Sequence, residues 1–302
     1  MNENLLDEQI SELCRERNAL ILAHCYTNYD VQAVSHKVGD SLELARYAMS
    51  TDKDIIVFCG VKFMGESAKL LCPDKTVLMP VANAFCPMAD SVTDQDIENL
   101  RKEYPEAAFV CYINSTAKTK ALCDICCTSA NAVKVIKSLP QNQIVFLPDK
   151  NLGSYVKEKI PDKEIILFDG CCPCHNNASE EDVKSAKQKH PDALFLVHPE
   201  CQSLIRSSAD FVGSSSQIIS FAEKSENNEF IIGTENGLTD RLSRIFPQNK
   251  FYPLSLNFVC EDMKKITKQD VLDALLYETN EVLIDESVAS RASIPLAKMM
   301  DL

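Results

Sequence analysis

The chain has 302 residues, 45% hydrophobic and 25% charged, with 44 acidic against 31 basic side chains and a formal net charge of −13. That balance excludes a nucleic-acid partner held by a basic stripe, and no run of 18 apolar residues offers a membrane span. The acidic opening, Met1 to Glu8, lacks the basic-then-apolar order of a secretory leader, so a cytoplasmic location is expected, and in that reducing setting fourteen cysteines read as metal ligands and core residues, not a disulfide framework.

The chain repeats itself. Cys86, Cys172 and Cys260 stand 86 and 88 residues apart, and each follows an apolar run. Units of that length bury little surface alone, so three of them are expected to share a centre. The expected boundaries are 1–90, 91–176 and 177–266, with a closing segment, 267–302, packed on the first unit.

In unit one a polar helix from Leu5 to Arg17 precedes the strand Ala19 to Ala23, which ends in His24-Cys25-Tyr26. Seventeen residues past His24, Gly39-Asp40-Ser41 opens a helix, a second strand runs from Asp54 to Gly60, and a third, Thr76 to Pro80, delivers Cys86. Unit two opens on the N-cap signature Thr93-Asp94-Gln95-Asp96. Its strand Ala107 to Cys111 ends in Tyr112-Ile113-Asn114, and Ser129 again lies seventeen residues past Tyr112. Strands 144–147 and 165–168 follow, the latter leading into Asp169-Gly170-Cys171-Cys172-Pro173-Cys174-His175, which reads as part of a metal site. Between these strands, Asp149 and Lys150 are expected to pair. In unit three, after the capping box Ser179 to Asp182, strand 193–197 ends in His198-Pro199-Glu200, and Ser215 stands seventeen residues past His198. Strands 229–233 and 251–254 lead to Cys260. The tail reads as a helix from Thr267, a short strand at 281–284 and a closing helix to Leu302.

Continuous apolar strands alternating with helices predict parallel sheets covered on both faces. The fold class is therefore α/β: three pseudo-threefold-related, three-layer α/β/α domains with small parallel sheets around a central active site. Polar residues gather just past the strands, the edge where such sheets bind ligands. A threefold axis would bring Cys86, Cys172 and Cys260 to one point, which suits a [4Fe-4S] cluster with one iron left open and equally a zinc ion with three thiolates. Ser41, Ser129 and Ser215 are expected at helix starts, where free N–H groups hold carboxylates or a phosphate without a basic patch. His24, Tyr112 and His198 occupy matching strand ends, with Tyr26, Asn114 and Glu200 each two residues on and turned to the same side. Glu200, His198 and Tyr26 supply groups for proton transfer. His36 and His190 read as surface helix residues.

These residues resemble the quinolinate synthase (NadA) family over nearly the whole chain: Leu22-Ala23-His24-Cys25-Tyr26, Val38-Gly39-Asp40-Ser41-Leu42, Cys86-Pro87-Met88-Ala89-Asp90, Cys126-Cys127-Thr128-Ser129, Cys172-x-x-His175, Val197-His198-Pro199-Glu200-Cys201 and Cys260-x-x-Met263-Lys264. The resemblance implies one oxygen-sensitive [4Fe-4S] cluster per chain on Cys86, Cys172 and Cys260, and condensation of iminoaspartate with dihydroxyacetone phosphate to quinolinate in NAD biosynthesis. An L-aspartate oxidase or aspartate dehydrogenase is the implied functional partner. The resemblance also implies that Ser41, Ser129 and Ser215 hold anionic groups, that His24, Asn114 and His198 orient substrate, that Glu200 and Tyr26 are the main acid/base pair, that Tyr112 positions the intermediate and that His175 stands near the cluster.

Three positions depart from the family pattern: Cys25 where Tyr or Asn is usual, Lys62 where His is common, and Ser215 where Thr is usual. No Cys-x-x-Cys-x-x-Cys surrounds Cys260, so thiol–disulfide control is not expected. Two rival readings use the same residues: a [4Fe-4S] hydro-lyase acting on a small carboxylate, and a metal- or redox-sensing protein without catalysis.

Overall fold

All nine apolar runs form strands, and each unit adds a fourth. The computed structural model describes residues 3–302, so Met1 and Asn2 of the acidic opening lie outside the described residues. Unit one contains β1 (Ala19–His24), β2 (Lys37–Gly39), β3 (Ile55–Cys59) and β4 (Thr76–Leu78). Unit two contains β5 (Ala108–Tyr112), β6 (Ile125–Cys127), β7 (Gln143–Leu147) and β8 (Glu164–Leu167), and unit three β9 (Leu194–Val197), β10 (Phe211–Val212), β11 (Glu229–Gly233) and β12 (Lys250–Pro253). The order is the same each time: β2-β1-β3-β4, β6-β5-β7-β8 and β10-β9-β11-β12, all parallel. Every residue of β1 and β5 is buried, which is why these central strands read as unbroken apolar runs.

Helices cover both faces, and their apolar stripes follow the sequence. Ser41–Ser50, for example, buries Leu42, Leu44, Ala45 and Ala48. The units also interlock. Leu42 and Leu70 of unit one belong to the apolar core of unit two, Cys174 of unit two to a core of unit three, and Cys25 of unit one to another core of unit three. Each small sheet thus completes its core with side chains from a neighbour.

The tail divides between two units. Helix Lys268–Tyr277 lies on helix Glu3–Glu16 and β3 of unit one. Helix Glu286–Met300, expected on unit one, packs mainly on β6 and helix Ala117–Lys120 of unit two, and also touches helix Lys62–Leu71 of unit one. Its apolar stripe is covered there: Ala292, Leu296 and Met299 are fully buried in the core of unit two, and truncating Leu296 to Ala is expected to cost about 3 kcal/mol. The short strand expected at 281–284 is a single antiparallel bridge, Glu281 to Leu78, which covers the outer edge of the first sheet. Pro295 sits within the last helix.

Candidate active site and metal centre

Parallel register explains the seventeen-residue spacing. His24 pairs with Gly39, Tyr112 with Cys127 and Val197 with Val212, so the residue ending each central strand lies beside the end of the short edge strand. Two residues past that end comes the serine in units one and two; in unit three His198 and Ser215 each stand one residue further along, so the spacing is kept. Ser41 and Ser215 are the first residues of their helices, capped by Asp40 and Ser214. Ser129 departs from the expectation: its helix begins at Ala132, and Ser129 lies in the preceding turn. The Thr128 carbonyl nevertheless accepts from the Ala132 N–H at 2.9 Å, the backbone bond that Asp40 and Ser214 make to Leu44 and Ile218, but without a side-chain cap.

The strand ends open onto one cavity of about 610 Å³. Its walls include His24, Tyr26 and Ser41 from unit one, Tyr112, Asn114, Ser129 and His175 from unit two, and His198, Glu200 and Ser215 from unit three, with Cys86, Cys172 and Cys260 contributed one by each unit. Cys174 also reaches the wall, while Cys171 does not line it. The lining includes no lysine or arginine, so an anionic ligand meets hydroxyls, amides and imidazoles there.

Each cysteine on the wall opens a turn. The carbonyls of Cys86, Cys172 and Cys260 accept from the N–H groups of Asp90, Asn176 and Lys264 at 3.0, 2.9 and 3.2 Å. Their sulfurs face the N–H groups of Ala89, His175 and Met263, three residues on in each case. Burial pushes the Cys86 thiol up to about 12 and that of Cys260 up to about 11, and raises Cys172 well above its ordinary value, with these amides opposing the rise. Such thiols become thiolates when a metal centre supplies positive charge. All fourteen cysteines are free of disulfides. One from each unit, with an amide aimed at each sulfur, fits a threefold metal centre.

Acid–base groups surround this point. Glu200, 3% exposed, accepts from the Tyr112 hydroxyl at 2.5 Å and lies 2.9 Å from Nδ1 of His175. Burial pushes its carboxyl up, but His175 and Tyr112 outweigh burial and hold it below the usual range. Burial raises the phenols of Tyr26 and Tyr112 well above their ordinary value, reinforced for Tyr26 by Cys25 and for Tyr112 by Glu200. At neutral pH the carboxylate is therefore a base and the phenols are acids. Nδ1 of His24 accepts from the Tyr26 N–H at 3.2 Å, and Nδ1 of His198 from the Glu200 N–H at 3.3 Å. Both rings therefore carry their neutral proton on Nε2. Burial lowers them to about 4 and about 3. The Oδ1 atom of Asn114 is buried without a protein partner, an acceptor left for a ligand.

Sequence reasoning missed two residues here. Oγ1 of Thr234 lies 2.8 Å from both the Tyr26 hydroxyl and Nε2 of His175, and so joins unit one to unit two. The Asp40 carboxylate, besides capping its own helix, reaches Ser216 of unit three at 2.6 Å. Hydroxyls and carboxylates beside helix starts read as ordinary caps, and only the neighbouring unit reveals the second contact. The expected pair of Asp149 with Lys150 is not formed. Lys150 pairs with Asp169 at 2.7 Å, and Asp149 points inward. His36 sits in a turn ahead of β2 and accepts from the Ile21 N–H at 3.1 Å, while His190 ends its helix stacked on Tyr252.

A carboxylate and two phenols held in opposite protonation states inside a cavity are the furniture of an enzyme for small molecules, not of a passive sensor. The comparisons with known proteins agree. The family model described as NadA, quinolinate synthetase A protein, matches residues 8–301. The quinolinate synthase of Caldicellulosiruptor bescii is 49% identical over 302 residues, the full length of both chains. That of Clostridium kluyveri is 48% identical, again over both full lengths. Quinolinate synthase 2 of Methanosarcina acetivorans is 47% identical over 300 residues, 99% of this chain and 96% of that one. The chain belongs to the quinolinate synthase family, and its cysteines fit an iron–sulfur cofactor. Cys172, His175 and Glu200 also bring ligand atoms within 4.8 Å of one another. Among the described residues no helix is long and apolar enough to cross a membrane.

Proposed function

We propose that this chain condenses iminoaspartate with dihydroxyacetone phosphate to quinolinate, releasing phosphate and two waters, as a cytoplasmic step of NAD biosynthesis. What carries the reading is the convergence of Cys86, Cys172 and Cys260, one per unit, on the cavity that also holds Glu200. The three thiolates would hold a [4Fe-4S] cluster. When bound, it supplies an iron without a protein ligand, able to act as a Lewis acid. The reaction is redox-neutral in its overall balance, so protons and water, not electrons, are what the side chains must manage.

Their division of labour follows from protonation state and place. Ser41, Ser129 and Ser215 hold the carboxylates and the phosphate through their hydroxyls. His24 and His198 present neutral Nε2–H groups to substrate oxygens, and Asn114 accepts from a substrate N–H or O–H. Glu200 removes protons from carbon, aided by His198 and His175. Tyr26 donates a proton to the departing hydroxyl, and Tyr112 positions the intermediate through Glu200. The imine is supplied by oxidation of aspartate, the chemistry of an L-aspartate oxidase or aspartate dehydrogenase.

The test is an anaerobic assay with carbon-labelled dihydroxyacetone phosphate and freshly generated iminoaspartate. Labelled quinolinate is expected. A loaded protein that makes none, but hydrates or dehydrates a small carboxylate, would point to the hydro-lyase reading instead.

A further inference from the structure

The loops that carry the three cysteines are clasped from behind in the same way, but only two of them are clasped twice. The helix after the second central strand starts at Lys62, Lys150 and Asn236 in the three units. In each case the first helical N–H donates to the carbonyl two residues before the cysteine: Lys62 to Ala84 at 2.8 Å, Lys150 to Gly170 at 2.8 Å and Asn236 to Phe258 at 2.9 Å. The residue capping that helix is Val61 in unit one, Asp149 in unit two and Glu235 in unit three. Both carboxylates are fully buried.

Each carboxylate uses its two oxygens for different purposes. Oδ1 of Asp149 accepts from the N–H groups of Asn151 and Leu152 at 2.8 and 2.9 Å, capping the helix, while Oδ2 accepts from the N–H of Cys172 at 3.3 Å. Oε2 of Glu235 accepts from the Gly237 N–H at 2.6 Å, while Oε1 accepts from the N–H of Cys260 at 3.3 Å and pairs with Lys264 at 3.0 Å. A capping role alone would be met by a serine or threonine. Burying a carboxylate is costly unless its oxygens are all engaged, and the second oxygen is engaged by the cysteine.

We infer that Asp149 and Glu235 are positioning residues that seat Cys172 and Cys260 for the metal centre, and that Cys86, beside Val61, relies on its backbone clasp alone. The inference rests on the reading of these three cysteines as the cluster ligands. Groups outside the ligand set that orient the ligands commonly change metal affinity by roughly 10–100-fold when removed.

The experiment compares the wild-type chain with Asp149→Ser and Glu235→Ser, all reconstituted anaerobically with iron and sulfide. Serine keeps the helix cap but is too short to reach the cysteine amide. Three quantities are read: melting of the cluster-free chain, the rate of iron loss to a ferrous chelator, and the EPR spectrum of the reduced cluster. The expected result is cluster-free melting close to wild type, iron loss at least about tenfold faster, and an altered EPR spectrum. Iron loss at the wild-type rate with an unchanged spectrum overturns the inference while leaving the proposed function intact. A wild-type chain that binds no iron overturns both. Should Asp149→Ser fail to fold without the cluster, Glu235→Ser decides the matter at the equivalent position.

Discussion

Units one and three present the same backbone to the cavity and different chemistry. In each, a histidine stands at the end of the central strand, His24 as its last residue and His198 just past it, and its Nδ1 accepts the N–H of the residue two further on. In unit one that residue is Tyr26, whose phenol burial keeps protonated. In unit three it is Glu200, whose carboxyl His175 and Tyr112 keep ionised despite burial. The repeat therefore fixes where the side chains stand, and a single residue choice at the equivalent position decides whether a corner holds a protonated phenol or an ionised carboxylate.

The largest effect is expected at the shared centre. Cys172→Ala should abolish iron binding, whereas Cys171→Ala and Cys174→Ala should retain it, read as iron and sulfide per chain. Equal loss in all three would break the equivalence of Cys172 with Cys86 and Cys260.

Next come the two corners compared above. Glu200→Gln should lower kcat about a thousandfold and Tyr26→Phe about a hundredfold, the range of general acid–base groups, with iron content unchanged in both. An equal loss from both would blur the contrast between base and acid.

The paired histidines should be seen in stability rather than rate. An unfolded histidine takes its proton near pH 6.5, but buried His24 and His198 refuse it until about 4 and about 3. Folding stability is therefore full above pH 6.5 and lost as pH falls towards 4, by about 2 kcal/mol per histidine between pH 7 and pH 5. Urea midpoints at the two pH values measure this, and His24→Gln should remove about half of the slope. The smallest effect is expected for Ser129→Ala. The loss of one hydrogen bond of about 1 kcal/mol should raise KM about fivefold and leave kcat nearly unchanged.

Much of this contrast is legible in the sequence. Continuous apolar strands mark buried central positions, and the seventeen-residue spacing is the cross-strand neighbour offset of a parallel sheet, fifteen residues, plus two residues of turn. The edge strands escaped because Phe211–Val212, with two residues, and Lys37–Gly39, with three, are too short to show a period. Asp149 beside Lys150 looks in sequence like half of an ion pair. Its true partners are amides, including that of Cys172, which lies 23 residues away and meets it only through the β7–β8 pairing. Helix Glu286–Met300 has an apolar stripe that any unit could cover, and nothing in its local sequence says which one does.

The central claim is that three repeats meet at one metal centre. The most direct measurement is iron and acid-labile sulfide per chain, with a Mössbauer spectrum, for anaerobically prepared protein. About four irons and four sulfides, with one iron distinct from the other three, are predicted for a cubane held by three thiolates. One zinc or one iron per chain, bound by Cys172, His175 and Glu200 and retained in Cys86→Ala and Cys260→Ala, would contradict it.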